Sequence, residues 1–163
     1  MTFAIAAKEE RMVDILHRIG IKAPAARVFG AVSTLQGLGH WWTEEVEGAE
    51  GIGGRIEFSF HSPEGEFKGK MVMEVREASA PKKLVWRCVD GPPEWIGTDI
   101  TFELSEQDGQ TIILFGHRHW REAVEATYHC SMKWATFLLS LREYVETGKG
   151  KPSPRDLKID NWN

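Results

Sequence analysis

Cysteine is scarce in this chain. The two thiols, Cys88 and Cys130, lie among 163 residues in segments that read as strand and helix. They offer no disulfide framework, which points to a reducing compartment, the cytoplasm. Basic charge is not in excess either: 20 Lys and Arg are scattered among 24 Asp and Glu, for a net charge of −4. A nucleic-acid binder would instead show a basic face. No apolar run approaches the ~20 residues that span a bilayer. The opening MTFAIAAKEERMVD has a small apolar patch but no basic leader, so it does not read as a signal peptide. Residues 1–11 read as a loose lead-in. Catalytic signatures are missing too: no Gly-x-Ser-x-Gly elbow, no phosphate-cradling glycine loop and no Cys-x-x-Cys. Neither an internal repeat nor a low-complexity tract occurs.

Aromatic residues are plentiful. Seven Trp, eight Phe and two Tyr accompany a hydrophobic content of 42%. Each ring buries ~150–250 Å², so together they make either a bulky core or the wall of an apolar pocket. The length suits one domain, expected over residues 12–148, with a polar tail at 149–163.

Alternation marks the strands. Val13, Ile15, His17, Ile19 and Ile21 share one face and Asp14, Arg18 and Lys22 the other, the period of two that a half-buried strand shows. Pro24 suits the start of a short helix, Ala25–Val32, and Thr34–Trp42 reads as a second, weaker one. Arg55–His61, Glu66–Val75, Lys83–Val89, Thr98–Leu104 and Thr111–His119 alternate again, separated by turn sequences such as Ser62-Pro-Glu-Gly65 and Glu106-Gln-Asp-Gly109. Consecutive hairpins predict antiparallel pairing.

The chain ends on a run without Pro or Gly, Arg121–Thr147, stopped by Gly148. At 1.5 Å per residue it predicts a helix ~40 Å long. Val124, Tyr128, Ser131, Ala135, Leu138, Arg142 and Val145 step by four and three, and Met132, Leu139 and Leu141 widen the stripe. The expectation is that this side faces the sheet. One narrow helix cannot fill a strongly curved sheet, and the remaining volume would be a cavity.

The order of elements resembles the helix-grip fold of the START, birch-pollen-allergen and SRPBCC superfamily, in the branch named after the activator of the heat-shock-protein-90 ATPase. The carriers are Ile21-Lys-Ala-Pro-Ala-Ala-Arg-Val-Phe29 leading to Trp41-Trp42, Gly53-Gly54 before Phe58 and Phe60, and Pro81-Lys-Lys-Leu-Val-Trp86. Thr98-Asp-Ile-Thr-Phe-Glu-Leu104, the strand Thr111–His117, and Met132-Lys-Trp134 with Leu138 and Leu141 complete them. The resemblance implies an α+β fold in which a curved antiparallel sheet of about seven strands grips the last helix, with two short helices after strand 1. Members use the enclosed cavity for lipids, sterols, polyketides or hormones, and some are cyclases. The co-chaperone activity belongs to two-domain eukaryotic proteins, and the additional domain has no counterpart among these residues.

The expected cavity lining is His17, Trp42, Phe58, Phe60, Met71, Met73, Trp86, Phe102, Phe115, His117, Tyr128 and Met132. His17 and His117 occupy inward phases of their strands. Such a ring is either a hydrogen-bonded core residue or the polar group that orients a ligand in an apolar pocket. His117 and His119, two apart, point the same way in a regular strand, and with His129 and Cys130 they raise the idea of a metal site. No fixed carboxylate completes it, so no metal and no cofactor are expected. Of Trp41 and Trp42, one would anchor the short helices and the other line the cavity mouth. The leading expectation is a binder of a small apolar or aromatic ligand, without membrane insertion and without an assigned catalytic residue. Against it stand a polyketide-cyclase-like enzyme, with His117 or His17 as acid–base near Tyr128, and a stress-response or co-chaperone-like interaction module. Edge-strand pairing leaves room for a homodimer.

Overall fold

The computed structural model describes residues 12–163, so the lead-in expected at 1–11 lies outside the described residues. Seven strands form one antiparallel sheet: β1 (Val13–Ile21), β2 (Glu45–Gly48), β3 (Arg55–His61), β4 (Phe67–Ser79), β5 (Lys83–Asp90), β6 (Asp99–Gln107) and β7 (Gln110–Trp120). Their spatial order is β1-β7-β6-β5-β4-β3-β2, so the first two strands are the edges. Two short helices, α1 (Ala25–Ser33) and α2 (Leu35–Trp41), follow β1, and the long helix α3 (Glu125–Thr147) closes the chain's regular structure. This is the α+β helix-grip architecture expected from the sequence.

Local chemistry accounts for these elements. Pro24 caps α1 with φ −63°, and the Thr34 hydroxyl accepts from the Gly37 N–H at 3.0 Å to start α2. Asp108 and Gly109, at φ 51° and 77°, make the two-residue turn whose twist matches the β6–β7 hairpin. Register shifts at Phe60/His61, Val72/Met73 and Val75/Glu77 bend β3 and β4 around the helix, as bulges do. Gly148 ends α3 in the left-handed region at φ 90°, its N–H donating to the Tyr144 carbonyl at 2.7 Å.

The rotation of α3 meets the expectation at Leu138, Leu141 and Val145 but departs from it at Tyr128, Met132 and Leu139. Its buried residues are Thr127, Trp134, Phe137, Leu138, Ser140, Leu141 and Val145, whereas Tyr128 is 72% exposed, Met132 57% and Leu139 48%. The helix therefore has two apolar stripes at helical spacing, and periodicity cannot rank them. The bulkier set, with Trp134 and Phe137, has more apolar area to remove from water and takes the sheet.

Residues 149–163 pack onto the domain. Ser153 donates its N–H to Trp42 (2.8 Å) and accepts from Glu44 (3.1 Å), and both Ser153 and Asp156 are buried. Gly150 makes the approach possible: a Cβ there would lie 2.5 Å from the His40 carbonyl oxygen and 2.8 Å from that of Ser140.

Candidate functional site

Between the sheet and α3 lies a half-open cavity of about 940 Å³. It lies to one side of the grip, between the β3–β4 hairpin, the β5–β6 loop, the first half of α3 and the C-terminal segment. Its apolar wall includes Trp42, Phe60, Met71, Trp95, Trp134 and Phe137. Its polar end is Lys133, Asp156, Lys158 and Asn163, and its mouth lies among exposed residues such as Pro63, Glu64 and Lys68.

Aromatic side chains fill the opposite side of the grip. Trp42 stacks on Trp86 at 6.0 Å and meets Phe58 at 4.3 Å and Trp134 at 4.9 Å. Phe115 continues the cluster to Trp134 at 4.7 Å, and Trp95 to His117 at 4.5 Å. Rings therefore occupy the space beneath α3 toward β5–β7, and the open volume is displaced toward β3, β4 and the C-terminal segment.

The polar end is built around one buried carboxylate. Asp156 receives the Lys133 ammonium, Lys158 at 3.3 Å and the Asn163 amide at 3.3 Å. Lys133 also donates to the Leu157 carbonyl at 2.9 Å and sits 4.9 Å over the Phe137 ring. Burial drives its ammonium below the ordinary lysine value, opposed by Asp156. Asp160 also acts on Lys133, so two ammoniums and two carboxylates gather at this end of an aromatic cavity. Nearby, His129 meets Asp160 at 2.7 Å and Trp162 at 5.2 Å between ring centroids.

His117 has no access to the cavity. It is fully buried; the Trp134 indole N–H donates to its Nδ1 at 3.1 Å, and its Nε2 lies 2.8 Å from the Thr98 hydroxyl. An indole is only a donor, so Nδ1 is the acceptor and Nε2 carries the proton. Thr98 in turn donates its O–H to the Trp95 carbonyl at 2.6 Å. Burial pushes the imidazole down to about 3, and it is neutral. This is a satisfied core histidine that ties α3 and the β5–β6 loop to β7.

His119 does not point with His117. Its φ of 73° breaks the alternation, so Trp120 turns inward and His119 reaches Asp99 on the outer face at 3.1 Å. Arg87 grips the same carboxylate at 2.6 and 3.1 Å. Burial opposes the Asp99 charge, but Arg87 and His119 outweigh it and hold the carboxyl below its usual range. His117, His119 and His129 thus face three different surroundings. Among the described residues no group of three or more His, Cys, Asp or Glu could hold a metal.

Of the twelve expected lining residues, Trp42, Phe60 and Met71 line the cavity. Trp41 is the anchor, its indole donating to the Ala31 carbonyl at 2.9 Å. Phe58, Met73, Trp86, Phe102, Phe115 and His117 are core. His17 sits at the edge of the grip, bonded to the Ser131 carbonyl at 3.1 Å. Tyr128 and Met132 are corrections: the rotation of α3 turns them to solvent, so Tyr128 has no place beside His117 or His17 as an acid–base partner. Sequence reasoning missed Trp95, Lys133, Trp134, Phe137 and the whole C-terminal wall. Trp134 and Phe137 were detectable from the series Thr127, Trp134, Phe137, Leu141. Trp95 and the C-terminal segment have no periodicity to betray them.

A family model described as Activator of Hsp90 ATPase homolog 1-like protein matches residues 22–146. The solved Aha1 dimer from Colwellia psychrerythraea is 38% identical, with 85% of this chain and 100% of that one covered and a TM-score of 0.74. CalU16 from Micromonospora echinospora is 18% identical over 90% of this chain and 74% of its own, with a TM-score of 0.70. SSP2350 from Staphylococcus saprophyticus is 15% identical over 86% and 98%, with a TM-score of 0.69. At those identities the latter two share the fold alone. No curated protein matches significantly. Among the described residues no helix is long and apolar enough to cross a membrane.

Proposed function

This chain belongs to the Activator of Hsp90 ATPase homolog 1-like family, within the SRPBCC helix-grip superfamily, and we propose that it binds a small apolar or aromatic molecule in the cavity beside α3. One observation carries the reading: a cavity of about 940 Å³ with a largely aromatic wall and the part-buried Lys133 at one end. That combination of volume, apolar lining and few convergent polar groups is typical of small-molecule sites. Affinity would come from apolar area removed from water, at roughly 25 cal/mol per Å², and orientation from Lys133 and Lys158. An anionic group on an aromatic body suits both. Catalysis finds less support, because the buried His117 and the exposed Tyr128 do not converge.

The probe for this reading is 8-anilinonaphthalene-1-sulfonate, an aromatic anion, followed by fluorescence. Met71→Trp should fill the cavity and abolish binding while the fold, monitored by circular dichroism, persists. Equal probe binding by the folded variant and the native protein would refute the site. Native mass spectrometry of the purified protein would show whether a small molecule accompanies it.

The 38% identical relative is a dimer, and we infer that this chain also assembles as two copies.

A further inference from the structure

The long helix has a second apolar face that stands exposed among the described residues. Tyr128, Met132 and Leu139 are 72%, 57% and 48% exposed. With Glu125, Ala135 and Arg142 they advance by three, four, three, four and three residues. That is the spacing of an a/d seam, which stays on one side of a helix and packs against another. From Glu125 to Arg142 the seam runs about 26 Å at 1.5 Å per residue.

The seam is its own complement. When a second helix is turned end for end about an axis between Lys133 and Trp134, Glu125 comes opposite Arg142, Tyr128 opposite Leu139, and Met132 opposite Ala135. A twofold interface demands this reciprocity, residue i meeting j and j meeting i. Two opposite-charge pairs then close the ends, and the small Ala135 near the centre admits the long Met132. Neither Glu125 nor Arg142 is engaged in an ion pair among the described residues.

We propose that a second copy of this chain docks on this seam, the two α3 helices antiparallel, Tyr128 and Met132 packed against Leu139 and Ala135 of the other copy. The proposal rests on the two-copy reading above and adds its surface. It leaves the cavity free, because the buried face of α3 and the exposed one are opposite.

Sedimentation velocity over a concentration series tests it. The native protein should sediment as two 18.5 kDa chains. Met132→Glu places carboxylates at the apolar centre and should give monomer at the same concentration. Arg142→Glu opposes it to Glu125 and should weaken association by about tenfold or more. The double exchange Glu125→Arg with Arg142→Glu should restore it. Should Met132→Glu fail to fold, the charge series decides alone, since both positions are exposed. A native dimer indifferent to all these changes would overturn the seam and move the interface elsewhere, such as the open edge of β1, while leaving the two-copy reading intact. A native monomer at about 100 µM, far above a micromolar dissociation constant, would overturn both.

Discussion

The neutral His117 makes a quantitative prediction about acid stability. In the folded protein burial pushes its imidazole down to about 3, whereas in an unfolded chain it titrates near 6.5. The unfolded state therefore takes up a proton that the folded state refuses. Stability from this residue is whole above about pH 6.5, falls as pH drops below that value, and levels off only near pH 3. Each unit of pH costs about 1.4 kcal/mol, so between pH 7 and 5 the loss is about 2 kcal/mol. Carboxylates titrate in the lower part of this window, so the comparison must be internal. His117→Gln keeps an acceptor for the Trp134 indole and a donor for Thr98 but has no proton to gain. Urea unfolding of both proteins at pH 7, 6 and 5 would give two stability profiles. The native profile should descend about 2 kcal/mol further than that of the variant. Parallel profiles would refute the neutral, sealed histidine, as would an imidazole carbon resonance of His117 that titrates near pH 6.5.

Other consequences follow from the same geometry. Trp134→Phe removes the indole N–H that His117 accepts at 3.1 Å and leaves a buried ring nitrogen unpaired, costing about 1–3 kcal/mol in urea unfolding; an unchanged midpoint would count against the network. Asp156→Ala strands the buried Lys133 ammonium and frees the C-terminal wall, so residues 151–163 should become sensitive to limited proteolysis, at a stability cost of about 3 kcal/mol. Gly150→Ala should loosen the same wall, because its methyl has backbone oxygens 2.5 and 2.8 Å away; a fully protease-resistant variant would contradict this packing. Burial pushes both the Cys88 and Cys130 thiols up to about 11, so at pH 8 both should react slowly with Ellman's reagent until the protein is unfolded.

The six longer strands were legible because each follows a local alternation, whereas β2 (Glu45–Gly48), largely exposed, shows none. Ile56 and Phe58, and Ile100 and Phe102, alternate with polar neighbours, Leu84 and Trp86 flank the smaller Val85, and all six of these larger side chains are buried. The Asp108-Gly109 turn and the Gly148 stop were legible for the same reason: their chemistry acts within a few residues. His119 escaped this reasoning because a single positive φ flips it. The face of α3 escaped because two apolar stripes met the same spacing criterion, and the cavity lining followed that error for Tyr128 and Met132.

The amino-acid sequence by itself determined the order of elements, the antiparallel pairing and the family, since these follow from period, turn chemistry and motif order. Only the tertiary structure decided which stripe of α3 meets the sheet, where the unfilled volume lies, and that the polar tail forms its wall. The reason is physical. Periodicity measures how side chains are arranged around their own axis, whereas rotation, cavity and wall depend on which packing removes most apolar area across elements far apart in the chain. Trp134 settled that competition, and the face it displaced, Tyr128 to Leu139, was left to solvent.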